Sequence, residues 1–199
     1  IGAGAAADQL RDSRVELAHD TIQEAIRGFD AACSNAHLKH TVQYEEGEPY
    51  ACFTRAARYH DLMVFGLRHL FEHGVTEDTP DQLVRLIRAG VRPVLATAHS
   101  YRQIHRALIA YSGSMESAKT MRRFVQLQLW KDISHKIVHF KKRGYDGNKL
   151  LEDAAHYCRC HGLEPEVELL SGSPKVELAS VANEWNADLI VIGNSARNL

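Results

Sequence analysis

The sequence predicts an α/β chain of duplicated, doubly wound parallel sheets. Three observations carry that reading. Residues 172–194, GSPKVELASVANEWNADLIVIGN, read as a Gly-Ser-Pro turn, an amphipathic helix and an apolar strand closed by Gly193. The same order stands about 125 residues earlier, at 47–66, GEPYACFTRAARYHDLMVFG. A unit that recurs in the same order points to duplication. Elsewhere strands and helices alternate, which calls for parallel pairing with right-handed crossovers.

Each part of the repeated unit has a local reason. Proline presets φ for helix entry, and the glycine before it accepts any backbone geometry. Val176, Leu178, Ala179, Val181, Ala182 and Trp185 recur with a period near 3.6, the mark of one apolar helix face. Leu189-Ile190-Val191-Ile192 is apolar on both faces, which predicts a central strand covered on each side. Gly193 at its end leaves room for a phosphate against the backbone. By the same pattern, Asp61–Gly66 and Asp188–Gly193 are expected to be equivalent strands.

Composition sets the limits. A length of 199 residues lies between one large domain and two small ones, and the repeat favours two. We place them at residues 1–98 and 106–199, with a polar linker near His99–Arg106. A net charge of −1 argues against a broad nucleic-acid surface. No apolar run approaches the roughly 20 residues of a membrane span, and no signal peptide is visible. Cys33, Cys52, Cys158 and Cys160 fall inside helical patterns and suggest no disulfide framework, so a reducing, cytoplasmic setting is expected.

Taken in order, residues 1–10 contain Gly2-x-Gly4-x-x-Ala7, a formal dinucleotide-binding match. That fingerprint needs a preceding strand, and only Ile1 precedes it, so a small-residue loop is expected. A helix is expected from Val15 to about Lys39, with Val15, Leu17, Ile22, Ala25, Ile26, Phe29 and Cys33 on its apolar stripe. Thr41–Tyr44 alternates as a short strand. Arg68–His73 holds a formal HxxEH zinc-peptidase signature, but Gly74 would stop the helix that such a site needs, so a polar loop is expected. A helix over 78–89 and a strand over Arg92–Thr97 close the first unit.

The second unit opens on a buried strand, Ala107–Tyr111, and a helix from Ser114, its cap, to about Trp130. A strand Lys136–Phe140, the basic turn Lys141-Lys142-Arg143, a helix Asn148–His161 and a strand Glu166–Leu170 lead into the second copy of the repeat. Most of the histidines, His135 among them, are expected at the surface. Cys158 and Cys160, two apart on a helix, point in different directions and cannot jointly grip a metal.

These residues resemble the universal stress protein family in its tandem two-domain form. The resemblance rests on Leu108–Ser114 followed by Glu116-Ser117-Ala118, on Gly172-Ser173-Pro174, on Ala187–Gly193, and on Arg92-Pro93-Val94-Leu95. It implies five parallel strands per domain in the order 3-2-1-4-5, so both units are expected to be incomplete at the chain ends, with residues before Ile1 and after Leu199 in the natural protein. It also implies a stress-response regulatory protein that binds ATP or another adenine nucleotide, and a homodimer. Two departures bear on that. The family's nucleotide binders carry an aspartate after the first strand, where Ser112 stands here. Their Gly-x-x-Gly, whose amides hold phosphates, becomes Gly193-Asn194-Ser195-Ala196 here and Gly66-Leu67-Arg68-His69 in the first copy.

The expected nucleotide site therefore lies in the second unit: Tyr111, Ser112, Gly113, Phe140, Lys141, Gly193, Asn194, Ser195 and Arg197. Strand C-termini are where open α/β sheets place ligands. No nucleophile–base pair, P-loop or paired carboxylates appear in the sequence, so no catalytic residue and no metal are expected. The alternatives are a ligand-free structural tandem module and, third, a weak ATP-hydrolysing enzyme.

Overall fold

The structure, a computed structural model, describes residues 2–45, 47–66, 93–98, 100–142, 144 and 146–193. The elements are α1 (Gly2–Asn35), α2 (Pro49–Ala57), β1 (Met63–Gly66), β2 (Val94–Thr97), β3 (Arg106–Ala110), α3 (Met115–Leu127), β4 (Ser134–Phe140), α4 (Gly147–Arg159), β5 (Glu166–Leu170), α5 (Pro174–Glu184) and β6 (Leu189–Ile192). They form two parallel sheets, β1-β2 and β5-β4-β3-β6. The expected helix over 78–89 and the HxxEH segment lie outside the described residues.

In the larger sheet β3 is paired on both edges, with Ile109 opposite Ile137 of β4 and Val191 of β6. Ala107, Leu108 and Ile109 are at most 1% exposed. Helices cover both faces. Ile109, Ile137 and Val191 pack with Met121 and Val125 of α3 and Leu151, Ala154 and Cys158 of α4. Leu108 and Val138 pack on the other face with Leu178, Val181, Ala182 and Trp185 around α5. Burying each large aliphatic side chain contributes about 1.5–3 kcal/mol, so this doubly wound sandwich is the stable centre. The edge strand β5 instead shows Glu166 and Glu168 to solvent, and Lys136 of β4 reaches both at 3.3 and 3.2 Å. Charges on an edge discourage further strand pairing.

Helix ends explain where elements stop. His37 adopts a left-handed φ of 54°, Leu38 N–H donates to Cys33 O at 2.9 Å, and α1 closes short of Lys39. That double reversal is a Schellman motif. Leu163 N–H to Cys158 O, at 3.1 Å, and Ala187 N–H to Ala182 O, at 2.8 Å, close α4 and α5 the same way. Asp188 then accepts from His105 N–H (2.9 Å) and Arg106 N–H (3.1 Å), clipping the start of β6 to the start of β3. Those backbone bonds, His105's first, hold its carboxyl below the usual range.

Several expectations are corrected. Residues 2–10 are helical, not a loop, so the Gly2-x-Gly4-x-x-Ala7 match has no strand–turn context. Thr41–Tyr44 forms no strand: Val42 and Tyr44 stand exposed, and residues 41–44 find no ladder partner among the described residues. The helix begun at Ser114 ends at Leu127, where Gln128 turns left-handed at φ 53°. Val176 is exposed rather than part of the α5 face. His135 is buried, not at the surface.

Strand β6 is also not covered on both faces. Among the described residues it pairs with β3 alone, and Ile190 and Ile192 are 42% and 59% exposed. The two copies of the repeat clarify why. In the first, Phe65 is buried against Phe53 of α2, edge to face at 5.2 Å, while Val64 is exposed. In the second, Val191 is buried and Ile192 is exposed. Aligned on their glycines, the two strands have opposite faces covered. Ala57 and Ala182, at matching places in α2 and α5, are both buried. The apolar run encodes two coverable faces, and neighbouring elements decide which one is covered.

His135 makes one consequence measurable. Its Nε2–H donates to Trp130 O at 2.9 Å, and burial pushes its pKa below 6.5. A histidine depressed in the folded state stabilises fully above its unfolded pKa, and that contribution is lost as pH falls below about 6.5. Urea unfolding between neutral and mildly acidic pH should therefore show a steeper loss of stability in the wild type than in His135→Gln. Parallel pH profiles would refute it.

Candidate functional site

The C-terminal ends of β3, β4 and β6 lie side by side, because the three strands are parallel neighbours in register. At the end of β3, Tyr111 N–H donates to Val138 O at 2.9 Å, which carries the β3–β4 ladder one residue past the strand. Tyr111 is half-buried, and its phenol is pushed above its ordinary pKa first by burial and then by Asp153, so it remains a neutral donor. Ser112 and Gly113 follow, both exposed. Gly113 has φ 75°, and a Cβ there would sit 3.2 Å from Leu150 Cδ1, so the position favours glycine on both counts.

Ser112 belongs to a network of three hydroxyls at the start of α3. Its Oγ lies 3.1 Å from both Ser114 Oγ and Ser117 Oγ. Ser117 N–H donates to Ser114 Oγ at 3.2 Å, and the Ser117 hydroxyl donates back to Ser114 O at 2.9 Å. Ser114 is thus the expected N-cap. Ser117, 4% exposed, completes no capping box, because the Ser114 N–H goes to Ser112 Oγ at 3.3 Å instead. At the end of β4, Phe140 packs on the α5 face, and Lys141 N–H donates to Leu170 O at 2.8 Å, which leaves its side chain exposed beside Lys142.

Gly193 fixes the third wall. A Cβ there would lie 2.5 Å from Ser117 Cα and 2.6 Å from Ser117 N, both backbone atoms. The end of β6 is therefore in backbone contact with the first turn of α3, beside the serine cluster. The structure thus brings Gly193 together with the Ser112 network, and puts Tyr111, Gly113, Phe140 and Lys141 at the neighbouring strand ends. Asn194, Ser195 and Arg197 lie outside the described residues.

His139 escaped the sequence reading. It is 2% exposed, and its Nδ1–H donates to Tyr111 O at 2.8 Å, tying the β3 turn to β4. Facing a carbonyl, Nδ1 carries a proton, and Nε2 is buried without a partner among the described residues. A Cβ on Gly147 would press on its ring at 2.9 Å from Cδ2, so the glycine opening α4 is what admits the imidazole. A histidine at an inward strand position, eight residues before a glycine, was the available signal. Among the described residues no group of three or more His, Cys, Asp or Glu side chains could hold a metal ion.

Comparison with known proteins agrees with this architecture. Residues 145–199 match the family model described as the universal stress protein family. The fold is similar to that of a universal stress protein from Archaeoglobus fulgidus, with a TM-score of 0.65 and 18% identity over 92% of this chain and 67% of that one. A protein of Mycobacterium tuberculosis H37Rv aligns at a TM-score of 0.43 and 24% identity, over 50% of this chain and 79% of its own. A universal stress protein in complex with cAMP aligns at 0.41 and 18%, over 49% and 82%. These two shorter alignments add nothing to the fold assignment. No curated protein matches. Residues 145–199 are thus similar to the universal stress protein family, and the fold is the Rossmann-like α/β fold shared with the Archaeoglobus fulgidus protein.

The contact at Gly193 yields a direct test. In Gly193→Ala the added methyl meets backbone rather than a flexible side chain, so α3 or β6 must shift. Overpacking of this kind costs about 1–3 kcal/mol, measurable as a lowered urea midpoint with an unchanged slope. A midpoint equal to wild type would show that β6 and α3 are not in contact.

Proposed function

We propose that this is a stress-response regulatory protein that binds an adenine nucleotide, ATP in the first instance, across the ends of β3, β4 and β6. The observation that carries the reading is the approach of Gly193 to the first turn of α3. Phosphate oxygens lying over Gly193 would sit at a helix N-terminus, where the dipole and nearby donors favour negative charge. Tyr111, Ser112 and Gly113 would line the nucleoside side. Lys141, with Asn194, Ser195 and Arg197, would supply donors and charge. In this reading residues 1–98 and 106–199 are two related units, the second holding the nucleotide. The full-length protein is a cytoplasmic homodimer, a setting with which four free cysteines agree.

The experiment is calorimetry with ATP on the wild type and Ser112→Asp, together with the nucleotide content of gently purified protein. A carboxylate adds a charge-assisted hydrogen bond to the sugar hydroxyls, worth about 1.5–3 kcal/mol, so affinity should rise about ten- to a hundredfold. Equal affinities would remove Ser112 from the site. No binding by either protein, and no nucleotide in the purified material, would favour a ligand-free tandem module.

A further inference from the structure

Away from the strand ends, the last turn of α4 sets His156 and Cys160 side by side. Four residues make one helical turn, so the two side chains share a face. Cys160 Sγ lies 3.7 Å from His156 Nε2, both residues are exposed, and Cys160 N–H donates to His156 O at 3.0 Å, which holds the backbone between them. We propose that His156 and Cys160 form a chelating site for a divalent ion of the zinc class.

The spacing carries the proposal. A tetrahedral ion with a metal–sulfur bond of about 2.3 Å and a metal–nitrogen bond of about 2.0–2.1 Å holds those two atoms about 3.6 Å apart. The pair therefore already has a separation close to the required bite. Location adds attraction, because carbonyls at a helix C-terminus carry partial negative charge and favour cations. The cation beside the site, Arg159, is paired with Glu152.

Neighbouring candidates are spoken for. Cys158 faces the core, 0% exposed, and burial pushes its thiol up to about 11. His161 Nδ1–H donates to Tyr157 O at 3.0 Å, with its ring against Tyr157. The described residues thus offer two ligands, and water completes the coordination. An imidazole and a thiolate select zinc or cobalt over magnesium or calcium. As the metal–sulfur bond forms, the thiol proton passes to solvent, so affinity rises with pH.

Cobalt(II) tests this on the untagged chain, since thiolate coordination produces a charge-transfer absorption. One equivalent should produce the band, zinc should abolish it, and magnesium should not. Cys160→Ser should lack the band, and His156→Gln should bind more than about tenfold more weakly, since one of two linked ligands is lost. Circular dichroism should show both variants folded as wild type, because both side chains are exposed. The proposal is overturned by absence of the band in wild type, by its survival in Cys160→Ser, by unchanged affinity in His156→Gln, or by displacement with magnesium.

Discussion

Strand β3 spends both of its hydrogen-bonding edges and both of its faces on the rest of the molecule. Its neighbours β4 and β6 satisfy its backbone, and helices from both sides bury Leu108 and Ile109 completely or nearly so. An unpaired backbone group at this depth would cost more than any single contact contributes, so the register of three strands is fixed together. Asp188 sets that register at one end through His105 and Arg106. At the other end His139 holds Tyr111, and the turn that opens the candidate site is delivered by the same strand.

The repeated unit shows how one local code serves two environments. Helix α2 buries Phe65 through Phe53, and α3 and α4 bury Val191 from the opposite side. Because side chains alternate along a strand, covering one face or the other selects alternate residues of the same run. A strand apolar on both faces thus tolerates either arrangement, which a strictly alternating strand would not.

That tolerance also marks the boundary of what the sequence discloses. The α/β class, the parallel order of the second unit, the span Glu166–Leu170 and the Ser114 cap were all legible, because periodicity and capping chemistry are local. The face of β6 that is covered was not, since an apolar run reports coverable faces rather than the neighbours that cover them. Thr41–Tyr44 alternated correctly and still formed no strand, because a strand needs a partner as well as a pattern. The extension of α1 to Gly2 was hidden by Gly2 and Gly4, poor helix formers individually, among alanines that favour a helix. In the candidate site, glycines and strand ends were readable. His135 and His139 were misplaced or missed because a histidine's burial depends on a carbonyl from another element, Trp130 or Tyr111.

The serine cluster carries the argument about ligand chemistry one step further. A carboxylate at position 112 would be an acceptor only, free to take hydrogen bonds from a sugar. Ser112 is instead both donor and acceptor, and its hydroxyl already exchanges bonds with Ser114 and Ser117 while receiving Ser114 N–H at 3.3 Å. A ligand hydroxyl arriving there replaces existing bonds rather than satisfying an empty acceptor. The net gain from such an exchange is small compared with a charge-assisted bond. In the proposed reading, binding energy therefore comes from phosphate contacts near Gly193 and from apolar contact with the strand ends. Such a site would select for the charge and flat face of a ligand more than for its sugar.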